Sequence, residues 1–287
     1  MIFARIYGIL VSRYNARDIA KGFTVMRIVV KVGTSTLAYP NGCMNIRRVE
    51  TLCKVLSDLK NAGHEMILVS SGAIGRGVGK LSLKGRPADI RGKQAAAAVG
   101  QCELMDTYDR IFSQYNHTVA QILLTGADLR DADRSVNFRN TLAQLLEWGV
   151  LPVINENDTI GTEEIMVGDN DTLSALVAVD SGAELLVLLS DIDGLYTDDP
   201  HRNPNAQRIP VVTTLTDEIL SYGGDKGSEL GTGGMRTKLH AAQICTEAGC
   251  DMAILNGNNP GFLYDLLDGK TVGTKFLHKK KEETAHA

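Results

Sequence analysis

A three-layer α/β/α sandwich built on a mainly parallel central sheet is the α/β fold this sequence predicts, and two observations lead there. Short runs with almost no polar face, such as Arg27–Val32 (RIVVKV) and Leu185–Leu189 (LLVLL), alternate with stretches of helical periodicity. A strand that is apolar on both sides is buried on both faces, as in a parallel sheet covered by helices. The second observation is where polar residues gather: Lys31–Ser35, Ser70–Gly72, Asn155–Asp158 and Ser190–Asp191 all follow apolar runs or close them. The carboxyl ends of parallel strands are where open α/β sheets hold ligands.

Taken in order, Arg27–Val32 is a β-branched strand followed by the turn Gly33-Thr34-Ser35. Ile46–Ala62 sets Val49, Leu52, Val55, Leu56 and Leu59 at helical spacing and closes at Gly63. Met66–Val69 is a second buried strand, Gly92–Tyr115 a long alanine-rich helix, Val119–Leu124 a strand and Val136–Trp148 a helix. Leu151–Ile154 is the next strand, Asp171–Val179 a helix and Leu185–Leu189 a strand. An extended piece at Ile209–Val212, a helix at Met235–Ala248 and a strand at Met252–Leu255 complete the series. No linker rich in proline, glycine or serine divides the chain, which leaves open a single domain with two lobes meeting near Asp180. Residues 1–25 carry Arg5, Arg13, Arg17 and Lys21 against Asp18 alone, and are expected to be an extension ahead of Met26. Their apolar part is broken by Arg5 and no small-residue cleavage site follows, against a secretory signal. Residues 277–287 are expected to form a charged, solvated tail.

With 287 residues and 44% apolar content, the chain can bury a substantial core. A net charge of -4 offers no bulk attraction to nucleic acid or an anionic membrane. No apolar stretch reaches the length of a membrane helix. Five cysteines without a CxxC pair read as reduced thiols of a cytoplasmic protein, neither disulfides nor a zinc site.

The stretch Leu151–Ser174 concentrates the chemistry. A buried strand turns polar at Asn155-Glu156-Asn157-Asp158, and Gly168-Asp169-Asn170-Asp171 then opens an apolar helix. One helix cap needs one such residue, and two Asn/Asp-rich clusters in close succession point to a site. Gly72–Lys80 (GAIGRGVGK) resembles a Walker loop but fails, since Ile74 stands where its first glycine belongs and Leu81 where the Ser or Thr belongs. No dinucleotide fingerprint follows the first strand. Two other features could handle an anion: Lys31, alone in an apolar strand, and the glycine run Gly231–Gly234 leading into a helix that carries Lys238. A helix start presents free N–H groups and the positive end of a dipole.

These motifs together resemble the amino-acid kinase family: Val30–Ser35 (VKVGTS), Ser70–Ile74 (SSGAI), Pro152–Asp158 (PVINEND), Val167–Asp171 (VGDND), Gly194–Thr197 (GLYT) and Gly231–Lys238 (GTGGMRTK). The likeness runs from about Arg27 to Phe276. Gly-Thr-Ser after the first lysine, with INEND and GDND, separates the branch acting on L-glutamate from those acting on acetylglutamate, uridylate and aspartate. The resemblance implies ATP-dependent phosphorylation of the L-glutamate side-chain carboxylate, with Mg2+ carried by the nucleotide and no metal held by the protein. It implies that Lys31 and Lys238 flank the transferring phosphoryl group and that Asp171 holds both lysines. Ser71, Gly72, Asn155, Asp158 and Asn170 would bind glutamate. Lys31, Ser190, Asp191 and the run Thr232, Gly233, Gly234, Met235, Arg236, Thr237 and Lys238 would bind ATP. Ser190 replaces the threonine of the family pattern and keeps its hydroxyl. A homodimer or homotetramer, and proline as feedback inhibitor, are further family expectations. The C-terminal PUA module of many members is expected to be absent. Two other readings stay open: a kinase of this fold acting on another small acid, and a non-catalytic nucleotide or proline sensor.

Overall fold

The computed structural model describes residues 25–39, 43–161, 170–200, 202–223 and 234–279. The expected extension 1–25 and tail 277–287 lie almost wholly outside these. The first half of the fold comprises β1 (Arg27–Val32), α1 (Thr34–Leu37), α2 (Ile46–Asn61), β2 (Glu65–Val69), α3 (Ala73–Lys80), α4 (Ile90–Ser113), β3 (Val119–Leu124), α5 (Gly126–Arg130), α6 (Ala132–Glu147) and β4 (Leu151–Glu156). The second comprises α7 (Asn170–Ser181), β5 (Leu185–Ser190), β6 (Leu195–Tyr196), β7 (Arg208–Ile209), β8 (Val211–Val212), α8 (Asp217–Ser221), α9 (Met235–Ala248), β9 (Asp251–Asn256), α10 (Phe262–Leu267) and β10 (Thr274–Phe276).

One eight-stranded sheet has the order β3-β4-β2-β1-β5-β9-β10-β8. Its strands are parallel from β3 to β9; β10 pairs antiparallel with β9 and parallel with β8. Alternation along the strands sorts side chains into two cores. Ile28, Val30, Met66, Leu68, Leu151, Val153, Val187 and Ala253 pack into the layer of α2, α4 and α10. Val29, Ile67, Ile154, Leu186, Leu188 and Ile254 pack into the layer of α6, α7 and α9. This is the three-layer arrangement the apolar strands required.

Some boundaries moved for local reasons. The sixth helix starts four residues earlier than the apolar pattern, because Asp131 caps it by accepting from the N–H groups of Asp133 and Arg134. The extended piece at 209–212 is split by Pro210 into β7 and β8. Residues 73–80, read from sequence only as a failed phosphate loop, are the helix α3. Glycine weakens a helix, but here it permits backbone contact. A Cβ on Gly77 would sit 1.7 Å from the Ala96 carbonyl oxygen, and one on Gly100 1.8 Å from that of Ala73. Helices α3 and α4 are thereby locked main chain against main chain.

Candidate active site

Strand β1 is the topological switch point of the sheet: β2 pairs on one side and β5 on the other. The crevice beyond the carboxyl ends of two such strands is open to a ligand. Val32 is in register with Leu189, so Gly33 and Ser190 leave adjacent strand ends. Lys31 shares a face of β1 with Val29, the face covered by α7 and α9. Its Nζ lies 2.7 Å from Asp171 Oδ1, at the start of α7. Lys238, on the second turn of α9, brings its Nζ to 3.0 Å from Asp171 Oδ2. The Thr237 hydroxyl stands 3.0 Å from the same oxygen and 2.8 Å from the Gly234 carbonyl.

Asp171 is 1% exposed. Burial by itself would raise its carboxyl pKa, but the Lys31 and Lys238 ammoniums outweigh burial and hold it far below the ordinary carboxylate range. The group therefore stays ionised at any working pH. Among the described residues two ammoniums thus converge on this one carboxylate at the strand ends, an arrangement suited to meeting a polyanion. The N–H groups of the first turn of α9, after its N-cap Gly234, add to the same field. Gly234, Met235 and Thr237 line that turn and Arg236 is exposed; Thr232 and Gly233 lie outside the described residues. Ser190 ends β5, and its hydroxyl donates to Asp191 Oδ1 at 3.0 Å.

A second cluster adjoins the first. Gly72 takes a left-handed φ of +93° that lets the chain turn from β2 into α3. The Asn170 amide nitrogen, one residue before Asp171, reaches the Ser70 carbonyl at 2.8 Å, Ser71 Oγ at 2.8 Å and Asn155 Oδ1 at 3.1 Å. Thus the predicted Ser71, Asn155 and Asn170 converge. Asp158 is half-buried on the turn after β4. Burial pushes its carboxyl up to about 6, and the nearby Arg86 guanidinium tempers the rise.

Several residues at this edge were not singled out in the sequence. Gly257 donates its N–H to the Ser190 carbonyl at 2.6 Å, and a Cβ there would fall 2.4 Å from Thr36 Oγ1. Gln101 and Tyr108, buried in α4, reach Asn155 and Ser70 from behind. Their signal was a polar residue inside the stripe Ala97, Gln101, Leu104, Tyr108, where helical spacing calls for apolar ones.

The profile described as the amino acid kinase family matches residues 26–256. The chain is 51% identical over 260 residues to the glutamate 5-kinase of Clostridium perfringens, covering 89% of this chain and 97% of the relative. It is 52% identical over 264 residues to that of Clostridium tetani, covering 92% and 98%. Among solved structures, the carbamate kinase from Giardia lamblia bound to AMP-PNP aligns with a TM-score of 0.62 at 15% identity, over 89% of this chain and 99% of that one. UMP kinase from Bacillus anthracis aligns with a TM-score of 0.60 at 14% identity, over 90% and 98%. The structural likeness is one of fold. With the Lys31–Asp171–Lys238 cluster at the switch point of such a sheet and half-identical relatives along nearly the whole described chain, the protein belongs to the amino acid kinase family.

Proposed function

We propose that this protein transfers the γ-phosphoryl group of ATP to the side-chain carboxylate of L-glutamate, giving γ-glutamyl phosphate and ADP, the first step of proline biosynthesis. The observation that carries the reading is the buried Asp171 gripping Lys31 and Lys238 at the sheet's switch point, in a chain half identical to enzymes named glutamate 5-kinase.

The chemistry matches what the site provides. The acceptor carboxylate is already ionised at neutral pH, so no general base is required. What the reaction needs is in-line positioning and relief of repulsion between anions. Lys31 and Lys238 flank the transferring group, held by Asp171 so that little reorganisation accompanies reaction. Ser190, Asp191 and residues 232–238 bind the nucleotide; Ser71, Gly72, Asn155, Asp158 and Asn170 bind glutamate. Magnesium travels on the ATP phosphates and neutralises part of their charge. Among the described residues no three His, Cys, Asp or Glu side chains gather as a metal site. Among the described residues, too, no helix is long and apolar enough to cross a membrane. A cytoplasmic location, a homodimer or homotetramer, feedback inhibition by proline and a kinase domain spanning 26–276 complete the proposal, on the family likeness.

Asp158 gives the reading a pH signature. Its raised pKa stabilises the empty protein at acid pH, a contribution lost as pH rises through about 6. Ionised, it can hold the glutamate ammonium; protonated, it cannot. The glutamate KM is expected to rise as pH falls through about 6, and Asp158→Asn to raise it at neutral pH and flatten the profile. A wild-type KM independent of pH between 5 and 7.5, roughly the span over which a group of pKa about 6 titrates, would remove Asp158 from the substrate contacts.

Trapping with hydroxylamine tests the reaction itself. ATP, magnesium and L-glutamate should yield γ-glutamyl hydroxamate, with aspartate, acetylglutamate and UMP (scored by ADP release) as negative controls. Product from glutamate alone supports the proposal; folded, ATP-binding protein that makes none would overturn it.

A further inference from the structure

Behind the substrate cluster lies a buried hydrogen-bond relay that the phosphoryl-transfer chemistry does not use. Tyr108 and Gln101 stand two turns apart on one face of α4, and both are buried. The Tyr108 hydroxyl is 2.8 Å from Ser70 Oγ, and Ser70 Oγ in turn reaches the Ser71 carbonyl at 3.3 Å. With Ser70 donating onward, Tyr108 is the donor to Ser70. Gln101 Oε1 accepts from Asn155 Nδ2 at 2.8 Å, which turns Asn155 Oδ1 toward the Glu156 N–H at 2.9 Å and the Asn170 amide at 3.1 Å. The Gln101 arm ends on the Asn170 amide, and the Tyr108 arm pins Ser70 and Ser71, whose carbonyl and hydroxyl respectively accept from that same amide. Its nitrogen faces three oxygens, from Ser70, Ser71 and Asn155, and an amide nitrogen has two protons to give. The Asn170 carbonyl oxygen must then face the other way, away from these three oxygens. Helix α4 cannot slide to loosen the relay, because Gly100, next to Gln101, is in main-chain contact with α3.

We propose that Tyr108 and Gln101 are positioning residues that fix which end of the Asn170 amide meets the substrate, so that Asn170 Oδ1 accepts from the ammonium group of the amino acid. This rests on glutamate being the acceptor. The relay makes recognition of the ammonium, rather than of either carboxylate, depend on a helix that does not touch substrate.

The test compares wild type, Tyr108→Phe and Gln101→Met, with initial rates measured against glutamate at saturating ATP and against ATP at saturating glutamate. Glutarate, which keeps both carboxylates and lacks the ammonium, is measured as a competitor of glutamate. Each variant should raise the glutamate KM about three- to tenfold, the range one hydrogen bond supports, with the ATP KM and the glutarate inhibition constant unchanged. Partial unfolding lowers the maximal rate but not KM, so a loss of stability does not mimic this result. Ser70→Ala combined with Tyr108→Phe should be no worse than the larger single effect, because both cut one path. An unchanged glutamate KM in both variants, or equal losses for glutamate and glutarate, would overturn the positioning role while leaving the activity standing. A wild type that forms no hydroxamate from glutamate would overturn the activity, and the positioning role with it.

Discussion

Lys238→Ala is expected to lower turnover about 10²- to 10³-fold, the loss typical when one preorganised charge is removed from a developing anion, and Lys31→Ala likewise. The reason is geometric. Both ammoniums are fixed on opposite oxygens of one buried carboxylate, at 2.7 Å and 3.0 Å, so neither can swing over to replace the other. The fold should survive either change, because Asp171 keeps the remaining lysine and the Thr237 hydroxyl. The double variant is different: an ionised Asp171, 1% exposed, would lose both its cations, at a cost of about 3–5 kcal/mol. Steady-state turnover with glutamate, read beside a thermal melt, separates these cases. Near-normal turnover in either single variant would sink the assignment of both lysines to the transferring phosphoryl group.

The second large effect falls on folding. Gly100→Ala places a methyl 1.8 Å from the Ala73 carbonyl oxygen, and Gly77→Ala one 1.7 Å from that of Ala96. Neither neighbour is a flexible side-chain tip; both are helical main chain. Separating α3 from α4 should cost about 3 kcal/mol or more, which at about 2–4 °C per kcal/mol is a plain drop in melting temperature. Gly85→Ala is the control: its Cβ would meet nothing within 4 Å, and its φ is not positive, so stability should hold or rise slightly. A melt of Gly100→Ala matching wild type would mean that the two helices can part without loss. Because α3 begins at the turn after Gly72, which is proposed to bind glutamate, the surviving folded fraction should also bind glutamate poorly.

Much of this was legible in the chain. The apolar strands carried enough signal to fix layers and parallel pairing, since a run such as Leu185–Leu189 has no face to offer water. Strand-end clusters pointed to the candidate edge, and Lys31 stood out as a charge set inside an otherwise apolar strand, just before its Gly-Thr-Ser turn. What stayed hidden was whatever depends on partners distant in sequence. Helix α3 looked like a broken phosphate loop because glycine spacing says nothing about the helix that will lie against it. Gln101 and Tyr108 looked like part of an alanine-rich core helix, because Asn155 and Ser70 reach them only after the sheet has formed.

The sequence by itself determined the fold class and pointed to one candidate edge of the sheet, because side-chain period and strand-end polarity are local properties. Only the tertiary structure decided how the residues at that edge act on one another. Asp171 binds two lysines drawn from β1 and α9, and the Asn170 amide is aimed by three oxygens from two strand ends. The charge balance and hydrogen-bond direction at this edge arise from groups that meet only when β1 enters the sheet between β2 and β5 and the flanking helices close over it.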